Sequence, residues 1–159
     1  MASFALWSLP LATLISLWVA WSDLARMKIP NIAVLALLAV FAVVGILTLP
    51  LEVYAWRYAH FAIVLTVGFL MAITGVVGAG DAKFAAAMAP FVAAIDGTAV
   101  AAIFAATTIL AFILHRLARV SPVRKLAPNW ESWERTRDFP MGLPLAVTLI
   151  IYLARTVFL

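Results

Sequence analysis

Cysteine is absent from this 159-residue chain, which excludes disulfides, a thiolate nucleophile and a cysteine zinc site. Charge is scarce as well. Only 11% of the residues are charged, against about 25% in an ordinary soluble domain. Histidine is limited to His60 and His115; with no acidic cluster beside either, no metal site is expected. No strand alternation and no internal repeat stands out. Met1 to Trp7 carry none of the basic residues that open a cleaved signal peptide, so the first apolar run is expected to remain as a transmembrane helix.

What the chain does have is apolar surface. Hydrophobic residues make up 67% and the mean hydropathy is +1.13, the composition of a multi-pass membrane protein. No soluble domain fits between the apolar runs, so residues 1–159 are read as one transmembrane domain. A net charge of +4 would suggest nucleic acid for a soluble protein. Here it points to basic loops on the inner membrane face, with the lipid bilayer and no nucleic acid as partner.

A spanning helix needs about 20 apolar residues. Six candidates emerge, at about 3–22, 32–50, 59–77, 82–95, 97–115 and 140–158. The fourth is the shortest, alanine-rich and interrupted by Pro90. Gly68 and Gly75 are seven apart, on nearly one face of the third helix, where they are expected to serve helix packing. Asn31 is expected to cap the second helix and Asp81 to open the fourth.

The predicted class is therefore an all-α polytopic protein with about six transmembrane helices. With the N-terminus outside, the inner loops hold Arg26, Lys28, Lys83, Arg116, Arg119, Arg124, Lys125, Arg135 and Arg137, and the outer segments hold only Arg57 and Arg155. The excess of inner Lys and Arg favours N-out, C-out. The one long polar stretch, about 116–138, is then a cytoplasmic interfacial loop. A short helix capped by Asn129 would place Trp130, Trp133 and Arg137 on one face, as an anchor in the headgroup layer or as a wall of a substrate groove.

Asp23 ends the first apolar run and Asp81 follows the third. A carboxylate at membrane depth costs about 2.5–3.5 kcal/mol on insertion scales, so both are functional candidates. Asp23 also meets the negative end of a helix macrodipole, a locally unfavourable place for an anion. The first and third helices run in the same direction, so parity alone puts both carboxylates at the cytoplasmic interface. Two close carboxylates cannot both ionise cheaply, which leaves one ionised and one protonated. That is the arrangement needed to activate water and to support a carbonyl oxygen or a leaving nitrogen. Gly78 and Gly80 leave room beside Asp81 for another backbone. Lys83 is two positions from Asp81 and would not face it on a regular helix.

These residues resemble a known family. Asp23 followed by Ile29-Pro30-Asn31 resembles the first-aspartate motif of the type IV prepilin peptidases. Gly78-Ala79-Gly80-Asp81-Ala82-Lys83 resembles their second motif, Gly-x-Gly-Asp-x-Lys, and Phe139-Pro140-Met141-Gly142 their Pro-x-Gly element. The resemblance implies an intramembrane aspartyl endopeptidase that removes the leader of prepilin or pseudopilin precursors at the cytoplasmic face of a bacterial inner membrane. Asp23 and Asp81 would be its catalytic pair. Gly78, Gly80, Lys83, Pro30 and Asn31 would shape the site, without cofactor or metal. The compact form resembles the leader peptidases of Flp (tight-adherence) pilus systems. The large bifunctional relatives carry a cysteine zinc cluster and a methyltransferase activity; with no cysteine here, peptidase activity alone is expected. Archaeal preflagellin peptidases, a proton- or cation-coupled transporter and a non-catalytic pilus-assembly scaffold are the alternatives. Substrate identity and oligomeric state are left open.

Overall fold

The computed structural model describes residues 2–135 and 138–158. Helices α1 (Ala2–Arg26), α2 (Asn31–Thr48), α3 (Leu51–Ile73), α4 (Ala79–Met88), α5 (Gly97–Val120), α6 (Glu131–Glu134) and α7 (Gly142–Phe158) follow in order, and no strand occurs among the described residues. Each of the six expected runs contains a helix, but their lengths differ. Four are long and apolar enough to cross a membrane: α1, α2, α3, and α5 with the turn before it. At ten residues, α4 rises only about 15 Å, roughly half a bilayer core. Two three-residue 3-10 turns, Ala89–Phe91 and Ala94–Asp96, prolong it. Together they carry the chain from one end of the bundle to the other.

The most extensive packing is between α1 and α7. Its basis is a stripe of small residues on α1. Ala5, Ser8, Ala12, Ser16 and Ala20 are all buried, at spacings that keep them on one face. Small side chains let backbones approach, which is what drives helix association in lipid. Asp23 is also buried, 18 residues and so five full turns from Ala5, on the same stripe. α7 answers with Leu145, Ala146, Leu149, Tyr152 and Leu153, buried at helical spacing. α4 lies against α3, and α2 touches both α1 and α4. α5 leans mainly on α7, and among the described residues it shares no extensive contact with α3.

α3 starts and stops earlier than expected. It begins directly after Pro50, and Arg57 within the added stretch is buried and donates to the Pro90 carbonyl at 2.9 Å. It ends at Ile73 in a Schellman motif. Gly75 adopts φ +75°, Val76 N–H donates to the Met71 carbonyl at 3.1 Å, and Gly75 N–H to that of Ala72 at 3.1 Å. Gly75 is thus a helix terminator rather than a packing residue. Gly68 does pack: a Cβ there would come within 2.9 Å of the Ala82 Cβ.

The end of the bundle opposite Asp23 is held by aromatic and polar contacts. Phe4 meets Phe41 at 6.0 Å and Phe91 at 5.7 Å between ring centroids, and Phe41 stacks on Tyr54 at 5.5 Å. Tyr152 O–H donates to Asp96 Oδ2 at 2.8 Å and accepts from Ala93 N–H at 3.0 Å. These contacts tie α1, α2, α3, α7 and the end of the α4 segment together, which fixes how their other ends converge.

The expected 116–138 loop begins later, because α5 continues to Val120, and part of it packs on the bundle. Trp133 is buried and stacks on His115 at 4.9 Å. Its indole N–H donates to the Ala127 carbonyl at 2.7 Å. Trp130 stacks on Trp133 at 5.5 Å, so the pair does share a face. α6 has only four residues and no side-chain cap, because Trp130, not Asn129, precedes it. Arg137 lies outside the described residues.

Candidate active site

Asp23 sits in the last turn of α1, buried to 5% exposure. The helix ends just beyond it, with Met27 N–H donating to the Asp23 carbonyl at 2.8 Å and Met27 itself at φ +50°. A left-handed conformation is unusual for a non-glycine residue and concentrates at functional sites. Ser22 Oγ donates to the Lys28 carbonyl at 2.8 Å and holds this turn in place.

The unfavourable end of the α1 dipole is offset from another helix. Gly142, the first residue of α7, donates its N–H to Asp23 Oδ2 at 2.7 Å. Helix N-termini carry unpaired N–H groups and partial positive charge, which suit an anion. The approach requires a glycine. A Cβ on Gly142 would sit 2.9 Å from Asp23 Oδ2 and 3.0 Å from its Cβ. The Asp23–Gly142 pairing was not foreseen from sequence, although the Pro-x-Gly element that contains Gly142 was.

Asp81 is the third residue of α4, with Gly78 in the capping position. Its side chain accepts from the Gly78 N–H, the return half of a capping box. It is therefore not the cap expected from sequence. The Gly78 backbone wraps the carboxyl so tightly that a Cβ on Gly78 would fall 2.6 Å from Asp81 Oδ2. Gly80 is different: a Cβ there would meet Ile29 at 3.5 Å, an ordinary contact.

Both carboxylates line one cavity of about 490 Å³, with Met27, Val77, Gly78 and Met141. α4 is too short to span, and for its Asp81 the electrostatics are clear. Burial, and next the Asp23 charge, push the Asp81 carboxyl up to about 6, against the opposing pull of the Gly78 N–H. Such a pair can hold one proton between two carboxyls, so that one acts as base and the other as acid.

Of the other expected residues, Gly80, Lys83, Pro30 and Asn31 do not line this cavity but meet each other beside it. Lys83 Nζ donates to Asn31 Oδ1 at 3.4 Å, and Ile29 packs on Gly80. The Ile29-Pro30-Asn31 turn thus rests on the start of α4, joining the two sequence motifs. Asn31 does not cap α2. Pro30 holds that position and no side chain caps it. The segment between α5 and α7 adds Arg135 and Asp138 to the cavity wall. Arg135 pairs with Asp138 at 3.5 Å and Glu131 at 3.8 Å. These two wall residues were not singled out from sequence, since nothing in a polar loop marks which of its charges will turn inward.

A family model described as the type IV leader peptidase family matches residues 11–115, a stretch that contains both aspartates. No curated protein and no solved structure matches the chain.

Proposed function

Because the chain belongs to the type IV leader peptidase family, we propose that it is an intramembrane aspartyl endopeptidase that cuts the leader from Flp-like prepilin or pseudopilin precursors, with Asp23 and Asp81 as its catalytic pair. The observation that carries this reading is the shared cavity, in which the Asp23 charge acts on the Asp81 carboxyl. One carboxylate takes a proton from water while the other, protonated, donates to the scissile carbonyl oxygen. The resulting gem-diol then collapses: the amine leaves with the proton of one carboxyl while a diol hydroxyl returns its proton to the other as the carbonyl reforms, so the pair again holds a single proton. Neither role is tied to one residue, because the two groups titrate together.

Gly78 and Gly142 hold the two carboxyls through backbone N–H groups, and Lys83 with Asn31 steadies the turn between them. The cavity faces the cytoplasm of a bacterial inner membrane in this reading. Arg26, Lys28, Lys83, Arg124 and Arg135 lie at its end of the helices, against Arg57 and Arg155 at the other, and the positive-inside rule places such an end inside. A prepilin presents its scissile bond there, where a cytoplasmic leader joins an apolar helix. Peptidase activity without N-methylation is expected.

Co-expression with a candidate prepilin and mass spectrometry of the precursor tests this. The expected product has lost its leader and gained no added CH₂ (about 14 Da) at the new N-terminus. A precursor left intact by the native chain contradicts the peptidase reading, and a methylated product contradicts the single activity. Ion flux through the purified chain in vesicles, with the precursor uncut, would favour the transporter.

A further inference from the structure

A long apolar groove leads away from the carboxylates. Its near half, about 360 Å³, includes Val67, Gly68, Ala82 and Phe104 and ends on Asp81, Val77 and Met141. The last three also line the carboxylate cavity. Its far half, about 440 Å³, extends to His60 and Gly97. Ile63, Val64, Ala85 and Leu145 line both halves, so the two adjoin along a shared wall.

The groove exists because α3 and α5 stand apart. Neither helix buries much of itself: along α3 only Arg57 is buried, and along α5 only Thr107, Ala111 and His115. Between them the floor is α4, whose Ala82 and Ala85 keep it low, with Leu145 of α7. An alanine floor between two exposed helices is a surface on which a third helix can approach closely. From Met71 to His60 the α3 wall rises about 16 Å, the length of about eleven helical residues and roughly half a bilayer core.

We propose that this groove docks the apolar helix of the substrate, with the scissile segment emerging at Asp81. The proposal rests on the peptidase reading above. Continuity decides the occupant. A lipid chain fits any apolar groove, but this one opens at one end onto a pair of carboxylates. The matching ligand is a chain whose apolar helix joins directly to a polar, cleavable segment. Docking the helix also supplies orientation, since a bound substrate presents its peptide bond at a fixed depth.

The test compares two substrates: a prepilin-type precursor with its apolar helix, and a soluble peptide carrying the same leader junction without it. Ala85→Phe fills the floor and Val64→Trp fills the α3 wall, both away from the carboxylate cavity. The expected result for each is a KM for the precursor raised about tenfold with kcat within about twofold, the signature of lost uniform binding. Peptide cleavage should stay within about twofold of native. Because the native chain has no cysteine, Val64→Cys and a single cysteine in the substrate helix should also form a disulfide when a copper–phenanthroline oxidant is added. Unchanged precursor KM in both folded variants, or absence of that disulfide, overturns the proposal and leaves the groove to lipid. Equal losses on peptide and precursor would also overturn it, since filling would then act on the carboxylates. If the native chain cuts the precursor but not the peptide, the disulfide alone decides. A native chain that cuts neither substrate overturns the peptidase reading itself.

Discussion

Gly142 and Asp23 are 119 residues apart in sequence and joined by a 2.7 Å hydrogen bond from the glycine N–H to the carboxylate. The start of the last helix thereby sets the position of a carboxylate on the first. Gly142→Ala puts a methyl group 2.9 Å from that oxygen, so the carboxyl must move. A displacement near 1 Å can cost about 100-fold in rate. The expected outcome is a loss of leader cleavage of about that size, with helix content by circular dichroism unchanged.

The two glycines of the Gly-Ala-Gly-Asp segment should separate. Gly78→Ala collides with Asp81 Oδ2 at 2.6 Å, the movable end of a side chain, so activity should fall about 100-fold while the protein still folds. Gly80→Ala meets only Ile29 at 3.5 Å, and alanine favours a helix; its activity should stay within about twofold. Equal effects of the two substitutions in a precursor-cleavage assay would contradict this geometry.

Titration of Asp81 has a defined sign. Its carboxyl is pushed up to about 6 by burial and by the Asp23 charge. Cleavage should therefore decline as pH rises above about 6 and the pair loses its shared proton. In Asp23→Asn the second of those causes is gone, and the Asp81 value should fall, read from carboxyl carbon shifts in isotopically labelled protein. A rise or no change would contradict a shared electrostatic site.

Tyr152 tests the other end of the bundle. Its hydroxyl links Asp96 and the Ala93 N–H in a partly buried setting, and Tyr152→Phe removes both bonds. A loss of about 1 kcal/mol is expected by equilibrium unfolding in mixed micelles. Cleavage by the protein that remains folded should be near native, because nothing at that end touches the carboxylate cavity.

Much of this architecture is legible in the residues. Apolar runs mark the helices, and parity puts Asp23 and Asp81 at one end, where the structure brings them into one cavity. The remainder depends on long-range pairing. The early start of α3 was not foreseen, and the partner of Arg57 within it, the Pro90 carbonyl, lies far along the chain. The end of α3 at Gly75 was hidden because a glycine in an apolar run signals packing and termination alike. The burial of Trp133 depends on His115, which stacks on it from another helix. The small-residue stripe of α1 was present at helical spacing and points directly at Asp23. A search for small residues alongside apolar ones would have found it.

The most direct test of the paired carboxylates uses purified protein and precursor in liposomes, comparing the native chain with Asp23→Asn and Asp81→Asn, each verified as folded. Leader release is expected from the native chain and none detectable from either variant, since each removes one half of a two-carboxyl mechanism. Leader release that survives either substitution would contradict it.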